Sequence, residues 1–95
     1  MKEIENFDFG NAIRFMKQGK KVSRRGWNGN GMFIYYVPAA KYPASGNSIG
    51  TMKGLYEDDL VPYQAYIAMK TVDGTVVPWL ASQSDILCDD WEIVS

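Results

Sequence analysis

Phe9, Ala12, Ile13 and Met16 recur at the i, i+3, i+4, i+7 spacing of one helix face, while Arg14, Lys17 and Gln18 fall elsewhere on the wheel. The pattern predicts an amphipathic helix over residues 8–18. Asp8 stands where a capping side chain meets the first free N–H groups, Lys17 lies in the last turn, and Gly19 follows as a left-handed stop. Gly10 weakens the first turn by up to about 1 kcal/mol relative to alanine, so packing has to hold the helix. Two segments of strand character come next, Lys21–Arg24 and residues 32–37, separated by a glycine-rich turn at 26–31. Residues 32–37 are apolar on both sides, so one face is expected to meet the helix and the other a partner or ligand.

Residues 38–62 shift toward Gly, Ser, Ala, Pro and Tyr and read as a long loop, a candidate lid or subunit contact. Asp73-Gly74 then predicts a hairpin closed by a two-residue type I′ turn. In that register Ile67, Met69, Thr71, Val76, Pro78 and Leu80 share the core face, and Tyr66, Ala68, Lys70, Val72, Thr75, Val77 and Trp79 share the other. Pro78 has no N–H for a ladder and belongs at an edge. Ser82 reads as the N-cap of a short helical turn through residues 85–88, and residues 91–94 as a closing strand. The expected fold class is α+β, with one N-terminal amphipathic helix packed on a small antiparallel β-sheet and a long middle loop, all in a single domain over residues 1–95.

Composition narrows the function. A chain of 95 residues buries only roughly 60–65% of its unfolded surface, which favours self-association. Its 46% hydrophobic content is too high for a disordered tail. Net charge −1 and a pI near 5.2 give no positive field for a general nucleic-acid binder, so neither DNA nor RNA is expected as a partner. A single cysteine, Cys88, excludes an intrachain disulfide and a thiolate metal cluster and fits a reducing cytosol. No leader pattern and no apolar run of about 20 residues is present, so a soluble protein without a membrane partner is expected. The chain has no histidine, the side chain most used as a general base near neutral pH, and this argues against an enzyme.

The chemistry-bearing residues gather in two tryptophan-containing segments. Lys20, Lys21, Arg24 and Arg25 set four cations within six residues, able to grip phosphate or simply to guard a solvated strand edge. Gly26, Gly29 and Gly31 around Trp27 and Asn28 form either an anion nest or a plain tight turn; the spacing is not that of a Walker or dinucleotide fingerprint. Trp27 serves either as a stacking plane or as a core anchor. Trp79, with Ser82 and Gln83 at a helical N-terminus, repeats the combination of a plane and hydrogen-bonding groups, although capping alone accounts for Ser82. Asp85, Asp89, Asp90 and Glu92 match no metal loop and no nucleophile–acid pair, and read as solvated charge. Cys88 reads as buried and inert.

The order Phe9-Gly10, Gly19-Lys20-Lys21-Val22, Arg25-Gly26-Trp27-Asn28-Gly29, Met32-Phe33, Met69-Lys70-Thr71, Asp73-Gly74, Val77-Pro78-Trp79-Leu80-Ala81-Ser82-Gln83-Ser84-Asp85-Ile86-Leu87 and Asp89-Asp90-Trp91-Glu92 resembles the phage Thoeris anti-defence sponge family. This is a small phage and prophage domain long catalogued as of unknown function. The resemblance covers both ends of the chain and leaves residues 39–61 as the divergent part. It implies a non-enzymatic homotetramer without cofactors, working in the cytoplasm of the infected bacterial host. There it would sequester the cyclic ADP-ribose signal made by TIR-domain enzymes, in pockets between subunits; some relatives also capture cyclic oligonucleotides. Carried onto this chain, the resemblance implies Trp27 as the stacking plane, Asn28 and the amides around Gly29 as polar contacts, and Arg25 as a phosphate partner. Trp79, Ser82 and Gln83 would form a second wall from another protomer, with Arg24 and Thr71 in lesser roles. The competing readings are a cyclic-nucleotide hydrolase, a protein-interaction module that blocks a defence protein directly, and a single-stranded nucleic-acid binder.

Overall fold

A computed structural model describes residues 5–27, 31–44 and 51–94. The chain divides into two compact units, residues 37–66 and the remainder. In the larger unit the expected helix forms as α1 (Phe9–Lys17). The Asp8 side chain accepts from the Asn11 N–H at 2.9 Å, Gln18 closes the helix, and Gly19 takes φ +92°. Of the expected stripe, Ala12 and Met16 are buried and Phe9 and Ile13 pack partly buried on the core, while Phe15, outside that stripe, is buried as well.

Six strands form the sheet: β1 (Glu5–Phe7), β2 (Lys21–Arg24), β3 (Phe33–Val37), β6 (Tyr66–Lys70), β7 (Val76–Pro78) and β8 (Trp91–Val94), in the order β1-β8-β2-β3-β6-β7. The last strand thus lies between the first two, with both partners antiparallel. Register follows burial. Val22 faces Ile34 on one side and Ile93 on the other, and Arg24 faces Trp91, so these residues share one side of the sheet. Val22, Ile34 and Trp91 are fully buried there and pack with Phe7, Ala12, Phe15 and Met16 into the core. Lys21, Ser23, Glu92 and Val94 point to the other face. As expected, β3 is two-sided, with Ile34 and Tyr36 on the core and Phe33 and Tyr35 in mutual ring contact at 6.0 Å. The polar start, by contrast, supplies a strand the periodicity does not announce, because three residues are too few for a pattern.

The hairpin differs from expectation by one residue. Lys70 pairs with Val76, Met69 with Val77 and Ala68 with Pro78, and with Thr71 bonded to Thr75 three residues, 72–74, are left in the loop. Gly74 takes φ +91° while Asp73 does not adopt a positive φ, so the type I′ geometry is excluded. Instead the Gly74 N–H bonds the Thr71 carbonyl at 3.1 Å and the Thr71 N–H bonds the Thr75 carbonyl at 2.8 Å. The Asp73 carboxylate, which accepts from both Thr71 and Thr75 hydroxyls, favours this wider loop. The slip moves Trp79 onto the same face as Ile67 and Met69: its N–H bonds the Ile67 carbonyl at 2.9 Å, and all three pack on the core. Pro78 does lie on the edge strand.

Residues 37–66 are not a plain loop. They contain β4 (Ala40–Pro43) paired antiparallel with β5 (Leu60–Tyr63), a short helical turn at Glu57–Asp59, a Tyr42–Tyr63 T-shaped contact at 5.6 Å, and buried Ala44 and Val61. The strands are short and lack period-2 alternation, so composition concealed them. No helix among the described residues is long and apolar enough to cross a membrane.

Candidate functional site

Beyond the C-terminal end of β2 the chain turns sharply, the Trp27 N–H bonding the Arg24 carbonyl at 3.1 Å. This places Arg25 outward and Trp27 inward. The Trp27 ring, half-buried, meets Trp91 at 5.4 Å and 80° and Trp79 at 6.3 Å and 65°, and Trp79 meets Trp91 at 6.1 Å and 87°. Phe9 of α1 completes the group, 5.4 Å from Trp91 and 6.1 Å from Trp79. Edge-on geometry suits the ring quadrupoles. Trp91 is the anchor, fully buried, its Nε1–H donating to the Asp85 carbonyl at 2.9 Å. The remaining surface of Trp27 lines a hollow of about 300 Å³ with Ser23, Arg24, Arg25, Gly31, Met32, Glu92, Ile93 and Val94.

The Arg25 side chain is 54% exposed. It touches the Asn6 side-chain carbonyl through Nη2 and stands 3.9 Å from Glu92 through Nε, a weak surface pair that an incoming anion can displace. Arg24 is placed differently. Its side chain is 19% exposed, and the guanidinium donates from Nε to Asp90 at 2.9 Å and from Nη1 to Asp85 at 3.0 Å. First the Asp90 and then the Asp85 hydrogen bond raise its pKa well above the usual arginine range, so it stays charged and engaged. Burial opposes ionisation of Asp85, but the Ser82 N–H and the Arg24 guanidinium outweigh it and hold the carboxyl below the usual range. Asp90 is also lowered, burial being outweighed by hydrogen bonds from Cys88, Arg24 and the Gly26 N–H. Solvated charge is therefore the wrong description of these two carboxylates; Asp85 is buried, and both clamp Arg24. The Cys88 thiol is pushed up by burial first and by neighbouring Asp90.

The second tryptophan segment leads into a capped helix. Ser82 and Asp85 form a reciprocal capping box at the start of α2 (Gln83–Leu87), the Ser82 hydroxyl accepting from the Asp85 N–H at 3.1 Å and Asp85 accepting from the Ser82 N–H at 2.9 Å. The Asp85 carboxylate thus stands where an anion would bind. Gln83 is exposed, and Trp79 backs Trp27 within the same chain. Thr71 bonds within the hairpin loop. Trp79, Thr71, Ser82 and Gln83 line neither hollow. Asn28 and Gly29 lie outside the described residues.

Sequence reasoning missed a second hollow, of about 310 Å³, whose walls include Lys20, Lys21, Lys70, Phe33, Tyr35 and Tyr36. Lys21 Nζ lies 5.1 Å and Lys70 Nζ 6.0 Å from the Phe33 ring centroid, and Lys70 also donates to the Gly31 carbonyl at 3.0 Å. Lys20 and Lys21 stood out as cations, but only the tertiary fold brings Lys70 to them. Among the described residues no cluster of His, Cys, Asp and Glu is arranged to hold a metal ion.

Comparison with known proteins gives two results that agree. Residues 7–94 match the model of the Thoeris anti-defense 2-like domain. Thoeris anti-defense 2 of Bacillus phage SP01 is 38% identical over 87 residues, covering 92% of this chain and 93% of that protein.

Proposed function

Because the chain belongs to the Thoeris anti-defense 2-like family, whose members block Thoeris defence, we propose that it does so by holding a cyclic ADP-ribose-type signalling nucleotide without breaking any bond in it. The observation that carries this reading is the shared hollow: an outward guanidinium of Arg25, part of the Trp27 ring, the Ser23 side chain and the backbone at Gly31 line one space. A nucleotide offers phosphate to the cation and a base to the indole. Exchange of the long Arg25–Glu92 contact for a bidentate phosphate contact is favourable. The volume lies at the small end of ligand clefts, which span roughly 300–1,000 Å³, and the reading assigns the remaining wall to a second protomer of a homotetramer. The site would operate in the cytoplasm of the infected host.

Sequestration needs affinity and stoichiometry alone. A nanomolar complex corresponds to about −12 kcal/mol, enough to remove a scarce signal while protein is in excess. The absence of catalysis is part of the proposal: the chain has no histidine, burial raises the Cys88 thiol, and Asp85 and Asp90 are ionised and clamped. The test is calorimetric titration with the cyclic ADP-ribose isomers, then heat release and mass analysis. Recovery of intact ligand at a defined stoichiometry is expected; a hydrolysed product would reject the sponge in favour of an enzyme.

A second reading places a cyclic oligonucleotide in the lysine-rich hollow, favoured by the cations around Phe33. Titration of a Lys20→Gln variant separates the two, since Lys20 lines the second hollow and not the first.

A further inference from the structure

Asp90 makes three connections to one short stretch of chain. Its Oδ1 accepts from Arg24 Nε at 2.9 Å, its Oδ2 accepts from the Gly26 N–H at 3.1 Å, and its backbone carbonyl accepts from the Arg25 N–H at 2.9 Å. Residues 24, 25 and 26 are thereby fastened in order, and Trp27 follows directly. Gly26 is fitted to this contact: a Cβ built there would stand 3.1 Å from Asp90 Oδ2, closer than the carboxylate allows without moving. Asp85 forms the other half of the Arg24 clamp yet bonds to Arg24, Ser82, Cys88 and Trp91, none of them in the 25–27 turn. The two carboxylates share one arginine and do different things.

We propose that Asp90 is a positioning residue for the ligand turn, fixing the backbone at Gly26 so that Arg25 and Trp27 line the hollow together. The proposal rests on the nucleotide-binding reading above. Asp85, by contrast, secures the core beneath that turn through the capping box and Trp91.

The experiment compares Asp90→Asn with Asp85→Asn in the full chain. An asparagine at 90 keeps one acceptor and presents an NH₂ either to Arg24 or to the Gly26 N–H, so one of the two side-chain bonds is lost. Two readouts are taken: amide hydrogen exchange at Gly26 in the free protein, and affinity for the cyclic ADP-ribose isomer that the unaltered protein binds. Asp90→Asn is expected to speed Gly26 exchange and to weaken binding, each by about tenfold. Asp85→Asn is expected to lower the melting temperature at least as much while leaving both readouts within about twofold. Equal affinity loss in both variants, or unchanged binding and exchange in Asp90→Asn, overturns the proposal. Should Asp90→Asn fail to fold, Gly26→Ala attacks the same contact from the other side without removing charge, and about tenfold weaker binding is again expected. If the unaltered protein binds no nucleotide, the functional reading fails, while the Gly26 exchange comparison still decides whether Asp90 fixes the turn.

Discussion

Replacing Arg24 with methionine keeps most of the side-chain volume and removes the charge that Asp85 and Asp90 share. Hydrogen bonds to charged partners contribute about 1.5–3 kcal/mol each, and breaking a fully buried pair costs about 3–5 kcal/mol. Here the side chains retain exposures of 19%, 12% and 29% for Arg24, Asp85 and Asp90, so water screens part of the loss. The expected destabilisation at pH 7 is about 2–3 kcal/mol. In urea this moves the midpoint down by about 2 M, for an m-value near 1–1.5 kcal/mol/M. The assay is urea unfolding followed by far-ultraviolet circular dichroism, at pH 7 and again at pH 3. Both carboxyls have pKa values depressed by folding, so their contribution is complete above the unfolded value of about 3.9 and is lost as pH falls through the lower folded values. Protonation relieves the stranded charges in the variant, and the gap between the two proteins should therefore narrow at pH 3. A gap that is unchanged between pH 7 and pH 3 would refute the electrostatic argument and assign the loss to packing. A gap below about 0.5 kcal/mol at pH 7 would remove the clamp from the account of stability altogether.

Two further substitutions separate binding from folding. Arg25→Gln, at a side chain more than half exposed, should leave stability within about 0.5 kcal/mol while weakening nucleotide binding about tenfold, read by thermal unfolding and calorimetry. Trp91→Ala empties the fully buried anchor and strands the Asp85 carbonyl, so a loss of about 3–5 kcal/mol is expected, seen as insoluble or unfolded protein at room temperature.

Local pattern carried much of the fold. The α1 helix, its Asp8 cap, β2 and β8 follow from short-range periodicity and capping chemistry, and the structure reproduces them, with Phe15 added to the buried face. The hairpin was half legible. Asp73-Gly74 marks a turn, yet whether two or three residues close it depends on threonine hydroxyls competing for the Asp73 carboxylate and on burying Trp79. A one-residue slip then reverses which face Trp79 occupies. The strands in residues 37–66 were hidden by short length and mixed composition. At the site, Arg25 and Trp27 do share a hollow, but the separation of Arg24 from Arg25 was not readable. Neighbours in sequence point opposite ways at a strand end, and the partners of Arg24 come from 61 and 66 residues away.

The sheet order also sets a timetable. Because β8 lies between β1 and β2, neither early strand has its central neighbour until residues 91–94 have been made. The Arg24 clamp waits for the same segment. Until then the apolar stripe of α1 and the inward side chains of β2 have no complete surface to cover, and a nascent chain exposes them to aggregation or to chaperones. Pairings of such long sequence separation slow the search, placing folding nearer milliseconds to seconds than microseconds. The hollow bordered by Glu92, Ile93 and Val94 is accordingly among the last features to form, so under the proposed function a partly synthesised chain would not yet hold a ligand.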